Sequence, residues 1–396
     1  MAEWPIVRFE ELAANEKSSI SKPYGSAYTK DDYVSDGVPL VRGGNLGNGI
    51  YHDDDYVFIT EEKADQLPGA NLAPGDLVIT HRGTIGQASM IPRSPRYPRY
   101  VLSTSQVKAR LDSSRAVPEF YYYWLLSPAG QHEILSHVST VGVPGLVQPV
   151  ASVKGFKVPH PPLREQEAVA EVLGALDDKI AANERITATA SELAAAHYLA
   201  TPELEIVKIT DVAQVTMGQS PPGETFNEQG MGLPFYQGTR DFGFRFPGYR
   251  VWCTAVTRQA EANDVLVSVR APVGQINVAA ELCGIGRGVA SVRAEKHPHV
   301  LLQALSADGS IWLPYEAEGT VFGSINKKQF TQLEIGWPTL EFIDSLESRL
   351  SALDQRIRRA TEESRTLATL RDTLLPQLMS GKLRVRDAEK IVEDAV

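Results

Sequence analysis

Gly75-Asp76-Leu77-Val78-Ile79-Thr80-His81-Arg82-Gly83-Thr84-Ile85-Gly86-Gln87 aligns without a gap on Asn263-Asp264-Val265-Leu266-Val267-Ser268-Val269-Arg270-Ala271-Pro272-Val273-Gly274-Gln275, 188 residues further along the chain. In both copies a turn residue and an aspartate precede a short apolar run, the pattern of a turn leading into a buried strand. Further out, Pro39 to Gly43 matches Pro234 to Gly238 at a spacing of 195, and Pro118/Pro298 and Thr140-Val141/Thr320-Val321 match at 180. The order of the matches is kept while the spacing drifts, as expected for a duplicated domain whose loops have diverged. A period this long suits two copies of a domain rather than a solenoid.

Each copy runs into a segment of helical rhythm. Ile343, Leu346, Leu350, Leu353, Ile357, Ala360, Ser364 and Leu367 fall alternately three and four residues apart, the a/d seam of a coiled coil. Gln166, Val169, Leu173, Leu176, Ile180, Asn183, Thr187 and Ala190 repeat that seam 177 residues earlier. His160-Pro161-Pro162 and Trp337-Pro338 mark the two helix starts, since proline suits a first turn and breaks an interior. The second helix is expected to end near Pro376 and Gly381. Such helices can each cover their own domain. Two matched seams in one chain favour packing on each other, with Asn183 costing stability while fixing register. A helix from Leu163 to about Leu199 has 37 residues and, at ~1.5 Å per residue, spans ~55 Å.

The expected fold class is therefore α+β, with two mixed α/β domains, each followed by a long helix, the helices pairing as an antiparallel coiled coil. The divisions fall at residues 1–158, 159–200, 201–336 and 337–396. Phe120 to Leu126, with three successive tyrosines and Trp124, has the composition of a base-stacking platform. Its counterpart, Val300 to Leu305, is aliphatic, so both read better as core helices.

The bulk composition, 43% hydrophobic and 22% charged over 396 residues, is that of ordinary globular protein and excludes wholesale disorder. No apolar run approaches ~18 residues, and the first ten residues lack a secretory pattern, so a cytoplasmic location is expected. Cys253 and Cys283 make neither a disulfide framework nor a zinc site and read as reduced thiols. A net charge of -10 at first argues against a nucleic-acid binder. Regionally the globular parts are nearly balanced: residues 1–160 hold 15 Lys+Arg against 17 Asp+Glu, and residues 201–338 hold 11 against 14. Such domains can present a basic face, but the chain alone is expected to bind DNA weakly. Catalytic patterns are missing: the proline pairs His160-Pro161-Pro162-Leu163 and Ser220-Pro221-Pro222-Gly223 do not fit an adenine methyltransferase motif, and no phosphate loop or zinc helix is present.

Three segments resemble one family, the specificity subunits of type I restriction-modification enzymes. Pro161-Pro162-Leu163-Arg164-Glu165-Gln166 leading into Leu176-Asp177-Asp178-Lys179-Ile180 is similar to the family's central conserved region. Leu374-Leu375-Pro376-Gln377-Leu378-Met379-Ser380-Gly381-Lys382-Leu383-Arg384-Val385 is similar to its distal ending, and the Gly-Asp-apolar strand with Arg82-Gly83-Thr84-Ile85-Gly86 to a segment of its recognition domains. Thr339-Leu340-Glu341-Phe342 departs from the family's pattern at the second helix start. The resemblance implies a non-catalytic subunit with two target recognition domains, each reading one half of a split site on double-stranded DNA. It also implies docking of two methyltransferase subunits, which methylate adenine with S-adenosylmethionine, and of restriction subunits using ATP and magnesium. None of these cofactors is expected on this chain.

Candidate DNA contacts are polar loop residues placed equivalently in the two copies. Arg82, with Thr84 beside it, and Arg270 follow buried strands and suit guanine or phosphate. Arg42 and Asn45, matched by Gln237 and Arg240, flank glycines that permit close backbone approach. Arg93, Arg96 and Arg99 form a basic, proline-punctuated loop found only in the first copy, while Asn326, Lys327 and Lys328 suit phosphate. The candidate helix interface is Val169, Leu173, Leu176, Ile180 and Asn183 with Leu346, Leu350, Leu353 and Ile357. Two other readings stay open: a coiled-coil scaffold that binds only proteins, and a recognition subunit of a methylation-only or phage-defence system.

Overall fold

The computed structural model describes residues 4–47, 51–139, 144–316 and 323–395. The chain forms two compact units, one of Met1–Ala181 with Ser364–Val396 and one of Ala182–Glu363. The matched dipeptides Thr140-Val141 and Thr320-Val321 lie outside the described residues.

In the first unit a four-stranded sheet has the order Ile20–Ser21, Gln106–Ala109, Leu77–Thr80, Ala88–Met90, all antiparallel. A five-stranded sheet has the order Tyr33–Val34, Val57–Ile59, Val38–Val41, Tyr100–Leu102, Asn71–Leu72, with one parallel pairing, Val38–Val41 on Tyr100–Leu102. The second unit repeats both patterns. Its four-stranded order is Gln214–Met217, Val289–Arg293, Val265–Ser268, Ile276–Val278. Its five-stranded order is Phe226–Asn227, Trp252–Cys253, Leu233–Tyr236, Cys283–Ile285, Gln259–Ala260, again with one parallel pairing, Leu233–Tyr236 on Cys283–Ile285. Each domain is closed by a short ladder joining its first strand to its last, Ile6–Arg8 on Lys157–Pro159 and Leu204–Lys208 on Glu334–Pro338.

The duplicated apolar runs are the inner strands of the four-stranded sheets, and every residue in them is buried. Side chains alternate across a strand, and here both faces find a core. Leu77 and Ile79 join the core that holds Phe120 and Trp124, while Val78 joins the one that holds Val38 and Val101. Val265 and Val267 likewise lie with Val300 and Leu301, and Leu266 with Tyr236 and Ile285. Helices Pro118–Leu126 and Pro298–Ser306 are buried core helices, and the tyrosine run packs edge-on and tilted within the protein.

Each inner strand starts the same way. Gly75 and Asn263 take left-handed backbone (φ 84° and 73°), a region open to glycine and tolerated by asparagine. Their amides bond to the carbonyls of Ile91 and Ala279 at 2.9 Å. The next carboxylates are buried and held from two sides. Asp76 accepts the Ala73 N–H at 2.8 Å and two Arg110 donors at 2.7 Å. Asp264 accepts the Glu261 N–H at 2.9 Å and Arg293 donors at 2.7 and 2.8 Å.

The long helices run Leu163–Leu199 and Ile343–Met379, each 37 residues. Pro376 lies inside the final turn of the second rather than beyond it, and Gly381 (φ 66°) follows the helix end. In the first unit Val169, Leu173, Leu176 and Ile180 share a core with Leu367, Leu374 and Leu378, and Arg371 donates to Asp177 at 2.8 Å. In the second unit Ala190 and Ala194 share a core with Ile343, Leu346, Leu350 and Ile357, and the buried Asn183 amide donates to Glu363 at 2.8 Å. The early part of one helix thus meets the late part of the other in both units, an antiparallel pairing. Leu353 is only half-buried, and Asp354 beside it takes the buried position. Among the described residues no helix is long and apolar enough to cross a membrane.

Removing Asp76 would leave the Arg110 guanidinium with Glu16 alone, at 2.9 Å, and the Ala73 amide without its acceptor. Arg110 keeps part of its surface in water, so the cost falls below the ~3–5 kcal/mol of a fully buried broken pair. Asp76→Ala is expected to destabilise the first unit by about 2–3 kcal/mol in urea unfolding, and Asp264→Ala to do the same in the second; a loss under about 0.5 kcal/mol in both would show that the lock does not support the strand.

Candidate nucleic-acid interface

Beyond each inner strand the chain turns outward with an arginine at its corner. His81 and Val269 end the buried stretch, their amides bonded to the carbonyls of Ser105 and Gly288 at 3.0 Å. Burial pushes the His81 ring below its ordinary pKa, and its Nε2 lies 3.0 Å from the Thr104 carbonyl, so the neutral ring donates there. Arg82 then bridges to Gly145 and Arg270 to Ser324. Both arginines are exposed, and neither side chain has a hydrogen-bond or ion-pair partner among the described residues. The turn closes through Thr80 N–H to Gln87 in one copy and Ser268 N–H to Gln275 in the other. In the second, Gly274 (φ 78°) lies so close to the Trp312 ring that a Cβ would sit 2.1 Å from it. Each arginine therefore stands on a base fixed by backbone bonds, and Thr84 is exposed beside Arg82.

The remaining candidates divide by what they already hold. Arg42 is exposed, with one long contact of 3.4 Å to the Asp55 carbonyl. Asn45 is buried: its Oδ1 accepts the Arg42 N–H at 2.9 Å and its amide donates to His52 and Asp54 carbonyls. In the second copy Asp241 does this job, accepting the Gln237 N–H at 3.2 Å. The structural partner of Asn45 is thus Asp241 rather than Arg240, a slip of one residue from the sequence match. Gln237 and Arg240 are exposed.

The first copy's proline-punctuated loop is largely tied down. Arg93 pairs with Glu119 at 2.6 Å, and Arg99 with Glu61, Asp65 and Asn71 at 2.7 to 2.8 Å. Arg96 is exposed over the Tyr97 ring. Asn326 caps the short helix Lys327–Thr331 by a reciprocal bond with Gln329, leaving Lys327 and Lys328 exposed in its first turn.

The structure also places charges that sequence reasoning missed. In the second unit the buried Arg245 donates to Ser191 at 3.1 Å and lies 3.8 Å from Asp354, which is also 3.8 Å from His299. Glu347 accepts the His299 ring at 2.6 Å and the Val300 N–H at 2.9 Å. A cavity of about 450 Å³ in the first unit borders Thr84, Gln87, Gln131, Asp177 and Arg371, but Asp177 and Asp372 already neutralise Arg371 there. Both cysteines are buried, and burial pushes the Cys283 thiol up to about 12, so it is not poised as a nucleophile.

The two units thus share one plan, a pair of mixed sheets packed with parts of the two long helices. Residues 1–191 match the family described as type I restriction modification DNA specificity domain. The chain is similar, over that half and beyond it, to type I restriction enzyme specificity subunits. It is 24% identical over 374 residues to the putative type I restriction enzyme MjaX specificity subunit of Methanocaldococcus jannaschii, covering 88% of each chain. It is 23% identical over 180 residues to the type I restriction enzyme MjaVIII specificity subunit of the same organism, covering 45% of this chain and 40% of that one. The fold is shared with the crystal structure of the type I restriction-modification system S subunit from M. genitalium, at a TM-score of 0.63 and 14% identity over 95% of this chain and 96% of that one.

Two predictions follow from these placements. Asn45→Ala and Arg99→Ala are expected to lower thermal stability while leaving the DNA affinity of the folded protein within about twofold; a selective loss of DNA binding without loss of stability would reverse that assignment. Burial raises the Glu347 pKa, but the hydrogen bonds from His299 and Val300 outweigh it and hold the carboxyl below its ordinary value of 4.5. A depressed carboxyl contributes stability above its unfolded pKa and loses it as pH falls through the folded one. Acid unfolding of the second unit below about pH 4.5 is therefore expected to be shallower in Glu347→Gln than in the parent.

Proposed function

We propose that this chain is the non-catalytic, sequence-reading subunit of a type I restriction-modification assembly, and that it reads a split site on double-stranded DNA. On this reading residues 1–158 and 201–336 are the two target recognition domains, 159–200 the central helix, and 337–396 the distal helix and tail. The observation that carries it is the duplicated corner: in each domain an exposed arginine, with no side-chain partner among the described residues, follows a strand buried on both faces. A guanidinium on a fixed base loses little freedom on binding and suits guanine O6/N7 or phosphate. Arg42, Thr84 and Arg96 in the first domain, and Gln237, Arg240, Lys327 and Lys328 in the second, complete the exposed candidate set. Asn45, Arg93, Arg99 and Asn326 act from within by shaping the loops.

The long helices set the spacing between half-sites. A 37-residue helix at ~1.5 Å per residue spans about 16 base pairs of duplex. Two methyltransferase subunits dock on the chain and bring S-adenosylmethionine, and restriction subunits bring ATP and magnesium, all in the cytoplasm. With a net charge of -10 the chain relies on its partners for much of the phosphate attraction.

The test is binding of the assembled methyltransferase to its own site over a salt series. Arg82→Ala is expected either to cost ~1–3 kcal/mol and relax preference at one position of one half-site, or to lower affinity for all sequences and reduce the salt slope by about one. Arg270→Ala does the same for the other half. If both variants leave affinity, slope and preference unchanged, these corners do not read DNA. Inserting four residues after Ile180 is expected to change the spacer or abolish methylation while the half-site bases stay the same; full activity with an unchanged spacer would remove the ruler role.

A further inference from the structure

The loop from Phe242 to Arg250 in the second domain holds an aromatic ring outward on a rigid mount. Gly243 is fixed on both sides by Asn277, its N–H donating to Oδ1 at 3.2 Å and its carbonyl accepting from Nδ2 at 2.8 Å. The Arg245 carbonyl accepts the Val278 N–H at 2.9 Å, and its side chain is buried. Phe246 is buried beneath the Arg358 guanidinium, 4.5 Å from the ring centre. Between these anchors Phe244 is 67% exposed. A single exposed apolar residue is ordinary on a mobile loop. Here both neighbours are tied to the edge strand Ile276–Val278, so the backbone that carries the ring is held in place.

The same loop is knitted to the candidate reading residues by one buried carboxylate. Asp241 accepts the Gln237 N–H and the Arg250 guanidinium, and its carbonyl accepts the Gly248 N–H at 2.9 Å. Arg240 stands exposed immediately before it. Phe244 and the half-exposed Tyr249 stand in one loop with Arg240 exposed at its start, a mixture of aromatic and cationic groups rather than a broad apolar face. It does suit a groove of duplex DNA, where cations meet phosphate and an apolar side chain meets a thymine methyl or wedges at a base step.

We propose that Phe244 is the apolar base contact of the second domain, packing on nucleobase surface in the half-site that this domain reads. The proposal rests on the DNA-reading function above and names a residue that function does not require.

The experiment uses the assembled methyltransferase and its own duplex site. Phe244→Ala is expected to weaken binding about tenfold or more, to relax preference within the second domain's half-site only, and to leave the salt slope unchanged, because a phenyl ring displaces no counterion. Phe244→Leu recovers part of the loss. Replacing thymines with uracil one at a time, and placing 2-aminopurine at successive steps, separates the two sources of apolar contact. A methyl contact appears as one uracil that weakens the parent but not Phe244→Ala; a wedge appears as one 2-aminopurine whose fluorescence rises with the parent and not with the variant. If Phe244→Ala binds like the parent while Arg270→Ala does not, Phe244 is no base contact although the domain reads DNA. If neither variant changes binding, the reading of DNA by this domain fails with it. A loss of methyltransferase subunits from Phe244→Ala, with DNA preference intact, would make the ring a protein contact and overturn the proposal.

Discussion

The buried carboxylate at the head of each inner strand is the interaction on which each domain depends. Asp76 and Asp264 sit one residue after a left-handed turn, where the chain must bend sharply and still satisfy every buried polar group. Each carboxylate answers a backbone amide three residues earlier and a guanidinium from the neighbouring strand. A charge in that position is tolerable only because both oxygens are engaged. The lock sets where the strand begins, and the strand sets where the outward arginine emerges, six residues after the aspartate in both copies.

Much of this architecture was legible in the sequence because duplication presents the same solution twice. The ungapped match from Gly75 to Gln87 marked the turn, the aspartate, the buried run and the exposed arginine, and all have the same structural place in both copies. The helix limits were readable from the prolines and the seam, with Pro376 the exception: it gives up the single bond to the Asp372 carbonyl, one turn before the helix ends. The partners of the aspartates were not readable. Arg110 and Arg293 lie 34 and 29 residues from their carboxylates, and strand pairing rather than spacing brings them together.

The site was legible by position more than by direction. A polar residue beside a glycine is equally suited to face water or to tie its own loop, and sequence alone does not separate the two. Asn45 faces in and Arg82 faces out, though both follow apolar strands. Asn45 has backbone groups of a wide loop within reach, whereas the Arg82 turn is already closed by Thr80 and Gln87. Asp354 shows the same limit in the helix seam: it takes the buried place beside Leu353 because Arg245 and His299 approach from the sheet domain. Phe244 carried no sequence signal: its loop is anchored through Asn277, which binds the Gly243 backbone from 34 residues away.

The strand buried on both faces has a consequence for how such a protein diversifies. A substitution at Leu77, Val78 or Ile79, or at their counterparts, is felt by one or the other of two cores, so the strand leaves no face free to drift. The turn that follows is constrained at its glycines, such as Gly274 against Trp312, while the exposed side chains at Arg82, Thr84 and Arg270 meet no core. Variation is thereby expected to be channelled: the four buried positions of each strand hold the scaffold, and the exposed corner side chains can be exchanged without disturbing either core.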